Sequence, residues 1–170
     1  MPEASQAGIV NPELDLQRIQ EQESRLRFPA FDENTAWQLG VALKARAEAL
    51  GKAVTIEITL GGSTLFFHAM RGTTPANADW VRRKRNLVQL THTSSYATGL
   101  ALKRDGMTLE TSLALPARDY AAHGGCFPLI LAGCCVGTIT VSGLPQRDDH
   151  ALVVEVLAAH LGLAPETLAF

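Results

Sequence analysis

The chain has 170 residues, a length that suits one domain of ordinary size, and 46% of them are hydrophobic, enough to pack a core. Fifteen basic and seventeen acidic residues leave a net charge of −2, which argues against a general nucleic-acid binder. No apolar run approaches the roughly 20 residues of a membrane helix, and Met1–Val10 lacks the regions of a secretory signal, so the expected location is the cytoplasm. Three cysteines, two of them adjacent at Cys134 and Cys135, predict neither a disulfide framework nor a CxxC zinc site.

Residues 1–10 read as a flexible tail, and 11–170 as a single domain. Asn11-Pro12-Glu13 supplies an N-cap, a proline at N1 and a first-turn acid, so a first helix is expected to about Arg27. Its apolar stripe is thin, and it is expected to lean on the domain or on a neighbouring subunit. A second helix starts at Asp32 or Asn34 and stops at Gly51, with Ala36, Gly40, Leu43, Ala47 and Leu50 on one face.

Ala53–Leu60 alternates as a strand, and Gly61-Gly62 is a two-residue hairpin signal. That turn predicts a register in which Leu60 faces Ser63, Ile58 faces Leu65 and Ile56 faces Phe67. Phe66, His68 and Glu57 then share the opposite, mixed face. Thr74-Pro75 opens a helix to about Leu90, and a further helix runs from Ser94 or Ser95 to Lys103. Thr108–Leu115 reads as a strand by alternation, and Pro116–Gly125 as a loop. Phe127–Ala132 and Cys135–Ser142 are two apolar strands about Gly133, and Asp148 is expected to cap a last helix. Hairpins imply antiparallel pairing, so the expected class is α+β with a roughly five-stranded antiparallel sheet packed with helices.

The helix Pro75–Leu90 places Asn77, Trp80, Val81, Lys84, Leu87 and Val88 on one side at about 100° per residue. Lys84 therefore falls inside an apolar stripe, where a lysine snorkels, finds a partner or shifts its pKa. Either a structural ion pair or an anion-binding role satisfies that position. The basic run Arg82–Arg85 beside Trp80 reads as a solvated or intersubunit face.

His123-Gly124-Gly125 is a loop whose backbone can come close to a ligand. His68 on the hairpin is a surface histidine or a ligand candidate, and His150 a further candidate. None of the five histidines forms an HxH or HExxH spacing, so no metal site is expected. No GxSxG elbow is present, and the cysteines read as small buried hydrophobes or turn residues.

Three segments in order carry a resemblance: His123-Gly124-Gly125-Cys126-Phe127-Pro128, then Gly133 and Val136–Gly143, then Asp148-Asp149-His150. Over about residues 13–162 the chain resembles the haem-binding-protein-S-like group, also called haem-degrading, which includes glycolate-utilisation protein G-like proteins. Within the group it is most similar to an uncharacterised branch shared by bacteria and fungi, which carries a pattern like Gly72-Thr73-Thr74-Pro75 through Asn77, Trp80, Arg83-Lys84-Arg85-Asn86 and Ser94-Ser95. The resemblance implies a profilin-like α-β-α fold and a homo-oligomer, and it raises haem as a cofactor. The functional expectation is an oligomeric small-molecule-binding protein with candidate site residues His68, Asn77, Trp80, Lys84, His123, Gly124, Gly125 and His150. Two alternatives stand beside it: a small-metabolite enzyme using Lys84 or His123 as acid-base group, and a non-catalytic assembly module using the first helix and the mixed hairpin face.

Overall fold

The structure is a computed structural model, and it describes residues 11–170; the predicted tail lies outside the described residues. Helices α1 (Pro12–Arg25) and α2 (Glu33–Ala49) precede the hairpin β1 (Thr55–Leu60) and β2 (Ser63–Ala69). Then come α3 (Pro75–Thr91), α4 (Ser95–Arg104) and the short α5 (Leu109–Leu113). The hairpin β3 (Cys126–Leu131) and β4 (Cys134–Ser142) leads into α6 (Gln146–His160). The sheet order is β2-β1-β4-β3, antiparallel throughout. Helices α2 and α6 cover one face and α3 the other, with α4 beside α3, which gives an α-β-α arrangement.

Among the described residues the sheet has four strands, not five, because residues 109–113 form a helical turn. The alternation of Leu109, Thr111 and Leu113 suggests a strand, but Thr108 prevails over it. Its hydroxyl accepts from the Thr111 amide, and the Thr111 hydroxyl accepts from the Thr108 amide. That reciprocal cap starts a helix.

The first hairpin turns at Gly61-Gly62 with φ of 56° and 83°, which glycine adopts without strain. Leu60 faces Ser63 as expected, but a bulge between Ile58 and Thr59 moves every later pair by one. Ile58 faces Phe66, Glu57 faces Phe67 and Ile56 faces His68. A one-residue slip exchanges the faces. Phe66 therefore enters the core under Gly40, where a β-carbon would meet its ring at 2.5 Å. His68 leaves the mixed face for the α2 side, near Lys44, Glu48 and Lys52.

The core lies between the sheet and the α2–α6 layer. Leu39, Leu43, Ile56, Ile58, Phe127, Leu129, Ile139 and Leu157 are its largest fully buried side chains. The other face of the sheet is polar and still buried, carrying Thr55, Glu57, Thr59, Thr138, Thr140 and Ser142 beneath α3. The Thr59 and Thr138 hydroxyls bond to each other at 2.8 Å, and Arg85 of α3 grips the Glu57 carboxylate with contacts of 2.8 and 2.9 Å. A buried polar face is tolerable when its groups find partners, and most of these do; the Thr55 hydroxyl, buried without one among the described residues, is the exception.

Helix α1 docks on its own chain. Asp15 accepts both Arg147 Nε and Arg147 Nη2, at 3.0 and 3.1 Å, and Gln22 donates to the Leu168 carbonyl at 2.7 Å. The thin stripe of Ile19, Leu16 and Leu26 is sufficient because these polar contacts supplement it. Among the described residues, no helix is long and apolar enough to cross a membrane.

Candidate functional site

Helix α3 begins at Thr74, where Pro75 occupies the first turn and the Asn77 side chain accepts from the Thr74 amide at 2.9 Å. This start fixes the rotation of α3 over the polar sheet face. Lys84 is consequently driven under the helix and retains only 3% of its surface. Its Nζ donates to Asp149 Oδ2 at 2.9 Å and to the Val141 carbonyl at 3.1 Å.

Asp149 lies in the first turn of α6, and its second oxygen, Oδ1, accepts from the Leu144 amide at 2.9 Å. Asp149 is buried too, at 2%. The expected cap, Asp148, is not the N-cap; Pro145 holds that place, and Asp148 stands exposed in the first turn. Burial pushes the Asp149 carboxyl above its ordinary value, and the Lys84 ammonium with the Leu144 and Gly143 amides pulls against that shift. One ion pair thus ties α3, the end of β4 and the start of α6 together.

Gly125 is required by the same pair. It has a φ of +126°, and a β-carbon there would lie 2.5 Å from the Val141 carbonyl and 2.7 Å from Lys84 Nζ. Gly124 is hemmed in by the Gln146 carbonyl at 2.0 Å from an ideal β-carbon, and its amide donates to Gln146 Oε1 at 3.3 Å. The two glycines let the loop pass between Lys84 and the start of α6.

Above the ion pair is a cleft of about 250 Å³. The buried Lys84 and Asp149 form its floor, and Ser142, Gln146, Trp80 and His123 complete its lining. The His123 and Trp80 rings meet edge to face at 4.9 Å between centroids. The Arg83 guanidinium covers the Trp80 ring at 3.9 Å and is itself paired with Asp79. Burial, followed by the charges of Lys84 and Arg83, lowers the His123 pKa, so this imidazole is neutral at pH 7 and can accept a proton or a hydrogen bond.

The structure therefore brings together Asn77, Trp80, Lys84 and His123 along the cleft, with Gly124 and Gly125 behind them. His68 is on the opposite side of the sheet. His150 follows Asp149 but turns into the interior, 1% exposed, with Nε2 held by Gln22 at 2.8 Å. Sequence reasoning missed Asp149, Ser142 and Gln146 as parts of the cleft. The available signal was a pair of charges, each misplaced on its own: a lysine in an apolar stripe and an acid beside a glycine turn.

The cysteines are free. Burial pushes the Cys126 thiol up to about 12, so it is no nucleophile at neutral pH. No group of three or more His, Cys, Asp or Glu capable of holding a metal occurs among the described residues.

The chain is thus an α-β-α domain with a glycine-backed cleft between α3 and the start of α6. A family model described as "Haem degrading protein HbpS-like" matches residues 31–158, and the chain belongs to that family. A "UPF0303 protein" of Azotobacter vinelandii is 55% identical over 161 residues, covering 94% of this chain and 97% of the relative. The crystal structure of Ybr137w protein superposes with a TM-score of 0.80 at 27% identity, covering 90% of this chain and 89% of that one. The crystal structure of a PduOC–haem complex shares the fold, with a TM-score of 0.65 at 20% identity over 76% of this chain and 94% of that one.

Proposed function

We propose that the protein binds a small molecule bearing a carboxylate or similar acceptor, with that head in the cleft above Lys84. The observation that carries this reading is the state of the lysine. An ammonium has three donors, and the two contacts to Asp149 and Val141 use two of them. The remaining donor belongs to a buried cation on the floor of an open cleft. Ser142 and the neutral His123 add hydrogen-bonding groups at the same place.

Haem is the cofactor raised by the family and by the relative's haem complex. The residues of one chain do not fit an enclosed, histidine-ligated haem. The cleft of about 250 Å³ is below the roughly 300–1,000 Å³ usual for drug-sized ligands, and haem is larger than most of these. His68 and His123 lie on different sides of the sheet, and His150 is buried with its Nε2 engaged. What the cleft suits is an acidic edge, not a macrocycle.

The test is a titration followed by amide NMR, with acetate, inorganic phosphate and haemin as separate probes. Acetate or phosphate is expected to shift the amides of Gly124, Gly125 and Leu144 and the Trp80 indole saturably. His123→Ala is expected to weaken that response. Shifts confined to surface basic residues, or none with either anion, overturn the reading. A haemin Soret shift that disappears in His123→Ala would establish haem ligation instead.

The same reading takes the protein as a homo-oligomer. Trp37 and Val41 stand out from α2 at 65% and 45% exposure on one face of the edge strand β2, and Phe67 is 50% exposed on the other face. Exposed apolar side chains flanking a strand edge that is unpaired among the described residues favour self-association. Light scattering should give a mass that is a multiple of the 18.2 kDa chain, and Trp37→Glu should reduce it. A monomer at micromolar concentration overturns the assembly.

A further inference from the structure

Beside the cleft lies a second, larger cavity of about 540 Å³, between α4, α5 and the loop that ends at His123. Its walls are mainly apolar: Leu102, Met107, Leu109, Ala121 and Tyr120. Arg82, Arg83 and Asn86 of α3 hold the loop in place through the Arg118, Ala117 and Asp119 carbonyls, at 2.8, 3.4 and 2.9 Å. The Ala121 amide also donates to the Arg83 carbonyl at 3.2 Å. The cavity is therefore built on the same helix that carries Trp80 and Lys84.

His123 lines both spaces. Arg83 lines the larger one and covers the Trp80 ring, which lines the smaller. His123 and the stacked Arg83–Trp80 pair form the wall that the two spaces share. One compartment has the Lys84–Asp149 ion pair, with one ammonium donor unused, and polar walls; the other has mainly aliphatic and aromatic walls. The first alone is small for a metabolite, while the second falls within the usual range for ligand sites.

We propose that these compartments form one site for an amphipathic monoacid, with the acid group beside Lys84 and the aliphatic or aryl body against Leu102, Met107 and Leu109. The inference rests on the anion-cleft reading above and specifies the class of ligand. His123 stands at the junction. Being neutral there, it adds no charge to compete with the ammonium, and it can bond the second oxygen of the acid. Arg83, paired with Asp79, gives the junction a polar rim that orients the acid end toward α3.

The experiment compares octanoate, acetate and 1-octanol by calorimetry and amide NMR on the full chain, with Leu102→Gln as the variant. Octanoate should bind at least about tenfold tighter than acetate, since burying several methylenes adds affinity that acetate lacks. Octanoate should also shift the amides of Gly99 and Ala122, which acetate leaves unchanged, and 1-octanol should bind more weakly than octanoate. Leu102→Gln should bring octanoate down to the acetate level without altering the acetate response. Equal binding of the two acids at Gly124 and Leu144 overturns the two-compartment site while leaving the anion cleft intact. Octanoate affinity unchanged in Leu102→Gln overturns it as well. Absence of response to both acids overturns the cleft and the larger site together.

Discussion

Lys84→Ala lowers the unfolding free energy by about 3–5 kcal/mol, because it leaves Asp149 charged, buried and without its partner. Equilibrium urea unfolding at pH 7 measures the loss. Asp149→Ala should cost a similar amount, since it strands the ammonium and the Leu144 amide. The two losses should not add. Lys84→Met combined with Asp149→Leu removes both charges and should be less destabilising than the sum of the single changes. The pair occupies a position where three elements meet, so its removal also frees the glycine loop from the start of α6. A loss below about 1 kcal/mol for Lys84→Ala would mean that the ammonium is solvated and the cleft has no charged floor.

Stability falls as pH is lowered from 6.5 toward 3, and His150 is a principal cause. Burial holds its pKa down at about 3 from an ordinary value of 6.5, and Asp15 only partly offsets this. Between those values the unfolded chain binds a proton at this site and the folded chain does not. The unfolded state then carries more bound protons, so unfolding becomes easier as pH falls. At pH 4.5 the penalty is about 3 kcal/mol, at 1.36 kcal/mol per unit across about two units. Among the described residues the buried imidazole Nδ1 has no partner, and Tyr96, Phe127 and Phe170 surround the ring, so of the groups described only Asp15 compensates protonation. Urea midpoints at pH 7 and pH 4.5 test the effect, with His150→Gln compared at each pH. The variant should lose much less stability between the two than the parent chain; equal losses would assign the acid sensitivity to other groups.

Several of the elements were legible in the residues themselves. Asn11-Pro12, Asp32 and Thr74-Pro75 announce three helix starts, and the Asn11 and Asp32 side chains do accept from first-turn amides. Gly61-Gly62 announces a hairpin. Turn chemistry and caps act over a few residues, so sequence contains them. The bulge at Ile58 and Thr59 is another matter, because it follows from how Phe66 packs under Gly40 on α2, some 26 residues earlier in the chain. That one shift removed His68 from the expected site.

By itself the sequence determined the family, the antiparallel α+β class, and the fact that Lys84 sits in an apolar stripe. These depend on short-range periodicity, turns and ordered motifs. Only the tertiary structure decided what Lys84 does. Its partner Asp149 is 65 residues away and reads, along the chain, as a helix-terminal acid that repels anions. Folding puts that acid against the lysine, cancels its charge with the ammonium and two backbone amides, and leaves a cleft above the pair. Whether a charge repels a ligand or supports a site depends on what it touches, and contact between distant residues is set by packing rather than by spacing.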